Sequence, residues 1–221
     1  MRPSIDDLFR SKSVALRLAP RFDPARLTSD LSRMEESWWE NHLSNYHDGN
    51  WQSISLFAPG GRRSNQFSAG LAFAGTEAMQ RCDYIPEVID RFPGLKNRIR
   101  FLRLRAGGVI YPHSDPMHQI DPALVRIHVP VQTNASVAFL VHGVRVPMLP
   151  GETWFVDVRF KHSVRNDGET DRVHLVIDLV ANRELRAMMD AADSMGKALL
   201  TSYFLKHSLP KRVVRWLDIG N

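Results

Sequence analysis

His113-Ser114-Asp115, followed by His162 and, ten positions later, by Arg172, is the pattern in this chain best suited to chemistry. Two histidines and one carboxylate with open coordination positions form the facial triad by which non-heme iron oxygenases hold Fe(II). On an extended segment, residues at i and i+2 point to the same face, so His113 and Asp115 can meet one ion. Taken alone, His-x-Asp also describes an ordinary polar loop. The arginine is what a second, dianionic ligand would need, because a guanidinium grips a carboxylate bidentately.

His162 strengthens the pattern. Read as one strand, residues 154–164 carry Trp154, Val156, Val158, Phe160, His162 and Val164 on one face. The other face, Phe155, Asp157, Arg159, Lys161, Ser163 and Arg165, is mostly charged. His162 is therefore expected in the interior, where it needs a partner. The plain reading is a hydrogen-bonded core histidine; the sharper one is a metal ligand. Asn166-Asp167-Gly168 predicts a tight hairpin with glycine in the left-handed region. Symmetric pairing about Asp167 sets Arg165 opposite Glu169 and His162 opposite Arg172, as cross-strand neighbours. An unpaired interior arginine is costly. A bound carboxylate would answer for it, as would a salt bridge to Asp115 or Glu152. In Val125-Arg126-Ile127-His128-Val129 the polar residues alternate with apolar ones, so Arg126 and His128 line a cavity or face solvent.

The elements that must position these residues read as mainly β with flanking helices. Strands are expected at 13–18, 51–58, 99–104, 109–112, 125–131, 137–141, 144–148, 153–160 and 173–180. A helix opens at Asp23-Pro24 and carries Leu27, Leu31, Met34 and Trp38; a short one covers 87–92. Turns fall at Gly107-Gly108, His142-Gly143 and Pro150-Gly151. The segment 117–122, just after the metal motif, is a candidate lid. Short strands at close spacing indicate a sandwich or jelly roll. After Asn182, an expected N-cap, a helical tail begins. The organisation is one oxygenase-like domain over 1–181 and a helical appendage over 182–221, which would cover the domain's outer face or form a homodimer interface.

Composition sets the bounds. The chain has 221 residues, 43% hydrophobic and 24% charged, as in ordinary globular proteins. Its apolar runs are shorter than the ~18 residues of a membrane span, and its first residues lack a signal peptide's apolar core. The single cysteine, Cys82, rules out an internal disulfide and a Cys-based zinc site, and makes a reducing cytoplasm the simplest location. Net charge is +5. The basic segment 210–216 carries no nucleic-acid motif and reads as a solvated helix face, so neither nucleic acid nor membrane is an expected partner.

Together these segments resemble the aspartyl/asparaginyl β-hydroxylase family of Fe(II)- and 2-oxoglutarate-dependent oxygenases. The resemblance runs roughly from Trp51 to Leu179, led in by Tyr46-His47-Asp48-Gly49-Asn50-Trp51. It continues through Arg103 to Asp115, Arg126-Ile127-His128, Pro150-Gly151-Glu152, Phe160 to Asn166, and Arg172. It implies a double-stranded β-helix, cupin-like in form. By position it implies iron ligands at His113, Asp115 and His162, and Arg172 on the distal carboxylate of 2-oxoglutarate. Arg126 and His128 match positions that touch co-substrate or substrate, and Trp51 matches a tryptophan at the pocket edge. The implied activity consumes O2 and 2-oxoglutarate, hydroxylates an amino acid, free or in a peptide, and releases succinate and CO2. Some family members have glycine where Asp115 stands. The intact carboxylate places this chain nearer the bacterial members, including free-proline hydroxylases, and argues against halogenation, which needs that position vacant. Arg100, Arg103, Arg105 and Arg126 are available for a substrate carboxylate. Two alternatives share the same residues: a cupin-type metal enzyme without 2-oxoglutarate, and a non-catalytic ligand- or partner-binding barrel.

Overall fold

A computed structural model describes residues 14–63, 71–121 and 123–192 of the chain. The latter part of the expected helical tail and the basic segment 210–216 lie outside the described residues.

Two antiparallel sheets face one another. The larger contains β1 (Ala15–Leu18), β2 (Glu40–Asn41), β3 (Trp51–Pro59), β4 (Phe73–Gly75), β5 (Leu95–Leu104), β7 (Leu124–Gln132), β10 (Thr153–Val156) and β12 (Arg172–Val180). Its order is β1-β10-β7-β12-β5-β3-β2, with β4 on β3. The smaller contains β6 (Val109–His113), β8 (Val137–Val141), β9 (Val144–Arg145) and β11 (His162–Asn166), in the order β6-β11-β8-β9. The jelly-roll expectation holds, as two open sheets rather than a closed barrel.

The large sheet is covered on both faces, and strand parity assigns each face. Odd positions of β12 and β7, such as Val173, Leu175, Ile177, Ile127 and Val129, enter one apolar core. There they meet α1 (Pro24–Ser32), α2 (Glu77–Gln80), α3 (Ile85–Asp90) and α5 (Arg183–Asp190). Positions of the other parity turn toward the small sheet, where Leu102, Leu104, Trp154, Val156 and Val176 pack with Ile110, Phe139, Val141 and Val164. A strand buried on both faces reads as apolar throughout. The polar residues left on the inner face are therefore conspicuous.

Several expectations need correction. The continuous strand over 154–164 does not form. β10 ends at Val156, and the chain turns through Asp157, whose carboxylate accepts from Arg159 Nε and Nη2 at 2.8 and 2.6 Å. It then enters the other sheet as β11. Consequently β11 pairs with β6 and β8, while β12 pairs with β5 and β7. His162 is not opposite Arg172; its cross-strand partners are His113 and Val141, and Arg172 lies opposite Leu104. Arg165 pairs with Asp167 (Nη2–Oδ1 2.9 Å), not Glu169. Gly168 is not among the left-handed glycines. A Cβ there would lie 2.3 Å from the Asn134 side chain, so closeness rather than conformation demands glycine. The helix opening at Pro24 stops at Ser32, before a separate 3-10 turn at Glu36–Trp38. Within segment 117–122, the residues through Ile120 belong to α4 (Pro116–Ile120). Asn182 caps α5 as expected, its side chain accepting from Leu185 N–H at 2.9 Å.

Candidate metal centre and its cavity

The last residue of β6 and the first of β11 are direct partners, which sets His113 beside His162 with ring centroids 4.3 Å apart. Asp115, two residues past His113 in extended conformation at the start of α4, joins them. Its backbone N–H donates to Val158 O at 3.0 Å, tying the motif to the turn that precedes His162. Asp115 Oδ1 lies 3.4 Å from His113 Nε2 and 3.6 Å from His162 Nε2. One ligand atom from each of the three falls within 4.8 Å of the others.

The tautomers suit a metal. His113 Nδ1 is 2.8 Å from the Tyr111 carbonyl and His162 Nδ1 is 3.0 Å from the Phe160 carbonyl. A carbonyl only accepts, so both Nδ1 atoms carry the proton, and each Nε2, turned toward Asp115, is the ring atom left to bind a metal. Burial, ahead of the opposing pull of Asp115, lowers the His162 pKa to about 4, which keeps the ring neutral. Burial raises the Asp115 pKa, but the Arg126 guanidinium and the two histidines more than reverse this, and the group stays ionised. Two imidazoles and one carboxylate around a shared point are a donor set that could hold one divalent ion.

Behind the triad lies a buried charge network. Asp178 accepts from Arg126 Nε at 2.7 Å, Arg126 Nη2 at 2.9 Å and Arg100 Nη2 at 2.9 Å. Arg126 Nη1 also donates to Asp115. Two carboxylates thus quench Arg126, and its charge serves to hold Asp115 in place. His118 of α4 packs 3.6 Å from Asp178.

Arg172 contrasts with Arg126. It is 1% exposed, and neither Asp115 nor Glu152 reaches it: Asp115 is taken by Arg126, and Glu152 by Arg17 and Trp154. Its Nη2 donates to His174 Nδ1 at 2.8 Å, and its Nε is buried without a partner among the described residues. Burial alone pushes its pKa down to about 9. His128 adjoins it, with Nδ1 3.3 Å from His174 Nδ1. Phe139 of β8 links this corner to the triad. Its ring stacks on His162 (centroids 6.4 Å apart, planes at 7°) and lies 5.5 Å from both the Arg172 Cζ and the His128 ring. Arg172 and His162 therefore approach the same Phe139 ring from opposite sheets.

The remaining wall is aromatic. Trp51 is buried, stacks on His42 at 3.6 Å and sits 6.0 Å from the His113 ring. Tyr46 stacks on His113 at 4.8 Å. Burial drops the His42 pKa to about 3. Of the arginines considered for a substrate carboxylate, Arg103 and Arg105 are bound on the outer side to Glu36 and Gln52. Arg100 is buried, with its Nη2 on Asp178 and its Nε without a partner among the described residues.

Sequence reasoning did not single out His174, Asp178 or His42. The first two were discoverable: in Arg172-Val173-His174-Leu175-Val176-Ile177-Asp178 every odd position is apolar and three of the four even ones are polar, the same parity that located Arg126 and His128. His42 lies in an irregular segment with no period to read.

The fold and this site define the class. The structure resembles an oxidoreductase of the 2OG-Fe(II) oxygenase family from Burkholderia pseudomallei, with TM-score 0.56 and 16% identity, covering 83% of this chain and 96% of that one. It also resembles a Pseudomonas putida prolyl-4-hydroxylase, with TM-score 0.51 and 16% identity, covering 80% and 97%. The shared architecture is the jelly roll of these oxygenases. The family model for aspartyl/asparaginyl beta-hydroxylase matches residues 25–182, and the chain belongs to that family. A curated relative, L-proline cis-4-hydroxylase of Rhizobium meliloti (strain 1021), is 29% identical over 165 residues, or 73% of this chain. The match spans 59% of that relative's length.

Proposed function

We propose that this protein is an Fe(II)- and 2-oxoglutarate-dependent dioxygenase that hydroxylates an amino acid, releasing succinate and CO2. The observation that carries the reading is the pairing of an intact His113-Asp115-His162 triad with a buried arginine, Arg172, that has no carboxylate partner among the described residues. When bound, iron would supply O2 activation, with 2-oxoglutarate as the electron-donating co-substrate.

The chain's own residues have separable roles. His113 and His162 offer fixed Nε2 lone pairs, and Asp115, held by Arg126, offers the charge. Arg172 neutralises the far carboxylate of the co-substrate, with His128 beside it. Trp51 and Tyr46 pack against the His113 ring and hold its orientation. Arg100, although its Nη2 is paired with Asp178, keeps an Nε without a hydrogen bond among the described residues, and this Nε would serve a substrate carboxylate. Free L-proline is the first substrate to test, given the relative's name.

The test is a succinate-release screen of the iron-loaded protein across the amino acids and short peptides, with mass spectrometry for a product heavier by one oxygen. We expect succinate and hydroxylated product in equal amounts for at least one amino acid. Metal-loaded protein that consumes no 2-oxoglutarate with any of them would overturn the proposal.

A further inference from the structure

We propose that His174 is a positioning residue that braces the Arg172 guanidinium without neutralising it, and that His128 is part of the same brace. The inference rests on the functional reading above and deepens it.

The hydrogen bonds fix the tautomers. A guanidinium can only donate, so His174 Nδ1, 2.8 Å from Arg172 Nη2, carries no proton. His174 is then neutral with its proton on Nε2. His128 Nδ1 lies 3.3 Å from the same nitrogen. Two bare lone pairs would repel there, so His128 Nδ1 bears the proton and shares, at the longer distance, the single His174 Nδ1 lone pair that Arg172 holds. His128 Nε2 is consequently a bare acceptor. In that tautomer it cannot donate to a carboxylate, which separates His128 from Arg172 in its role.

The chemistry explains why a histidine stands at 174. Arg172 is on an inner strand face, over the Phe139 ring, with an Nε unpartnered among the described residues. Something must hold its orientation before a ligand arrives. A carboxylate would do so most strongly, and would also occupy the fork and cancel the charge that attracts an anion. Asp178 does this to Arg126 on the neighbouring strands. A neutral imidazole acceptor fixes one Nη while leaving a full positive charge and the remaining N–H groups for the ligand. His174 is 1% exposed, so water cannot substitute for it.

Three substitutions separate bracing from packing. His174→Asn keeps an acceptor near the Nδ1 position; we expect a 2-oxoglutarate KM within about threefold of wild type. His174→Phe fills the space without an acceptor. Losing a hydrogen bond to a charged group should raise that KM roughly tenfold to a hundredfold, with Fe(II) affinity and the amino-acid KM unchanged. His174→Asp offers the stronger partner to Arg172 and should raise the KM at least as far as Phe. A structural role alone predicts that Asp serves Arg172 as well as His or better. The proposal is overturned if either Phe or Asp leaves the 2-oxoglutarate KM within twofold while Arg172→Ala raises it. If Arg172→Ala itself changes nothing, the functional reading fails instead. Should these variants not fold, 15N NMR of histidine-labelled wild type decides the matter. We expect His174 protonated at Nε2 and His128 at Nδ1; the reverse pattern at either ring refutes the brace.

Discussion

Replacing Asp178 by asparagine should be among the most damaging conservative changes in this protein. Asp178 is 3% exposed and accepts three guanidinium N–H groups at 2.7–2.9 Å, two from Arg126 and one from Arg100. Asparagine keeps the size, removes the charge and turns an NH2 toward donors. Two buried guanidiniums are then left with Asp115 as the nearest carboxylate. Removing one partner of a buried ion network costs roughly 3–5 kcal/mol. At about 2–4 °C per kcal/mol for a chain of this size, Tm should fall by about 6–20 °C. Thermal unfolding followed by circular dichroism, with urea unfolding as a second probe, measures it. A fall under about 2 °C would refute the claim that this network supports the fold. The pH dependence gives a further check. Burial opposes ionisation of Asp178, yet the Arg126 guanidinium holds its pKa well below 3.8. A depressed carboxylate pKa contributes stability above the unfolded value, lost as pH falls through the folded one. Wild type should therefore lose stability steeply below pH ~4, and Asp178→Asn should show a shallower slope there.

Other outcomes follow from single contacts. Cys82 is buried and burial raises its pKa to about 12. Iodoacetamide at pH 8 should leave the native thiol unmodified for hours and alkylate it within minutes in urea. Because the unfolded thiol ionises near 9 and the folded one near 12, stability should also decline across that interval. Gly151 has φ +76°, and a Cβ there would lie 2.2 Å from Phe22 O, which is backbone and cannot yield cheaply. Gly151→Ala should cost at least about 1–3 kcal/mol by denaturant unfolding; a cost under about 0.5 kcal/mol would mean the turn relaxes freely. Arg103→Gln should leave the amino-acid KM within about twofold, because its fork is spent on Glu36 outside the cavity.

How much was legible depended on whether a residue's role followed from parity or from pairing between distant strands. Alternation put His162 inside, where it is buried although the strand it was read on is broken, and it left Arg126 and His128 between cavity and solvent, where the structure buries both. Pairing was inferred only from the nearest turn, which made β11 and β12 a simple hairpin. In the structure the turn at 166–171 crosses from one sheet to the other, so the inner faces of β11 and β12 face one another from opposite sheets. Arg172 thus approaches the same space as His162 by a route the sequence did not suggest. The break after Val156 was also hidden, because Val158 and Phe160 continue the apolar alternation through what is a turn held by Asp157 and Arg159.

The central claim is that one cavity holds both a metal and the co-substrate that Arg172 recognises. Anaerobic titration with Fe(II) and 2-oxoglutarate, following the visible charge-transfer band of the iron-bound keto acid, tests it most directly. The account predicts a band that saturates at one iron per chain in wild type. It predicts none in His162→Ala or His113→Ala, and at least a tenfold higher 2-oxoglutarate requirement in Arg172→Ala. A wild-type protein that binds iron at the triad yet shows no band at saturating 2-oxoglutarate would contradict it.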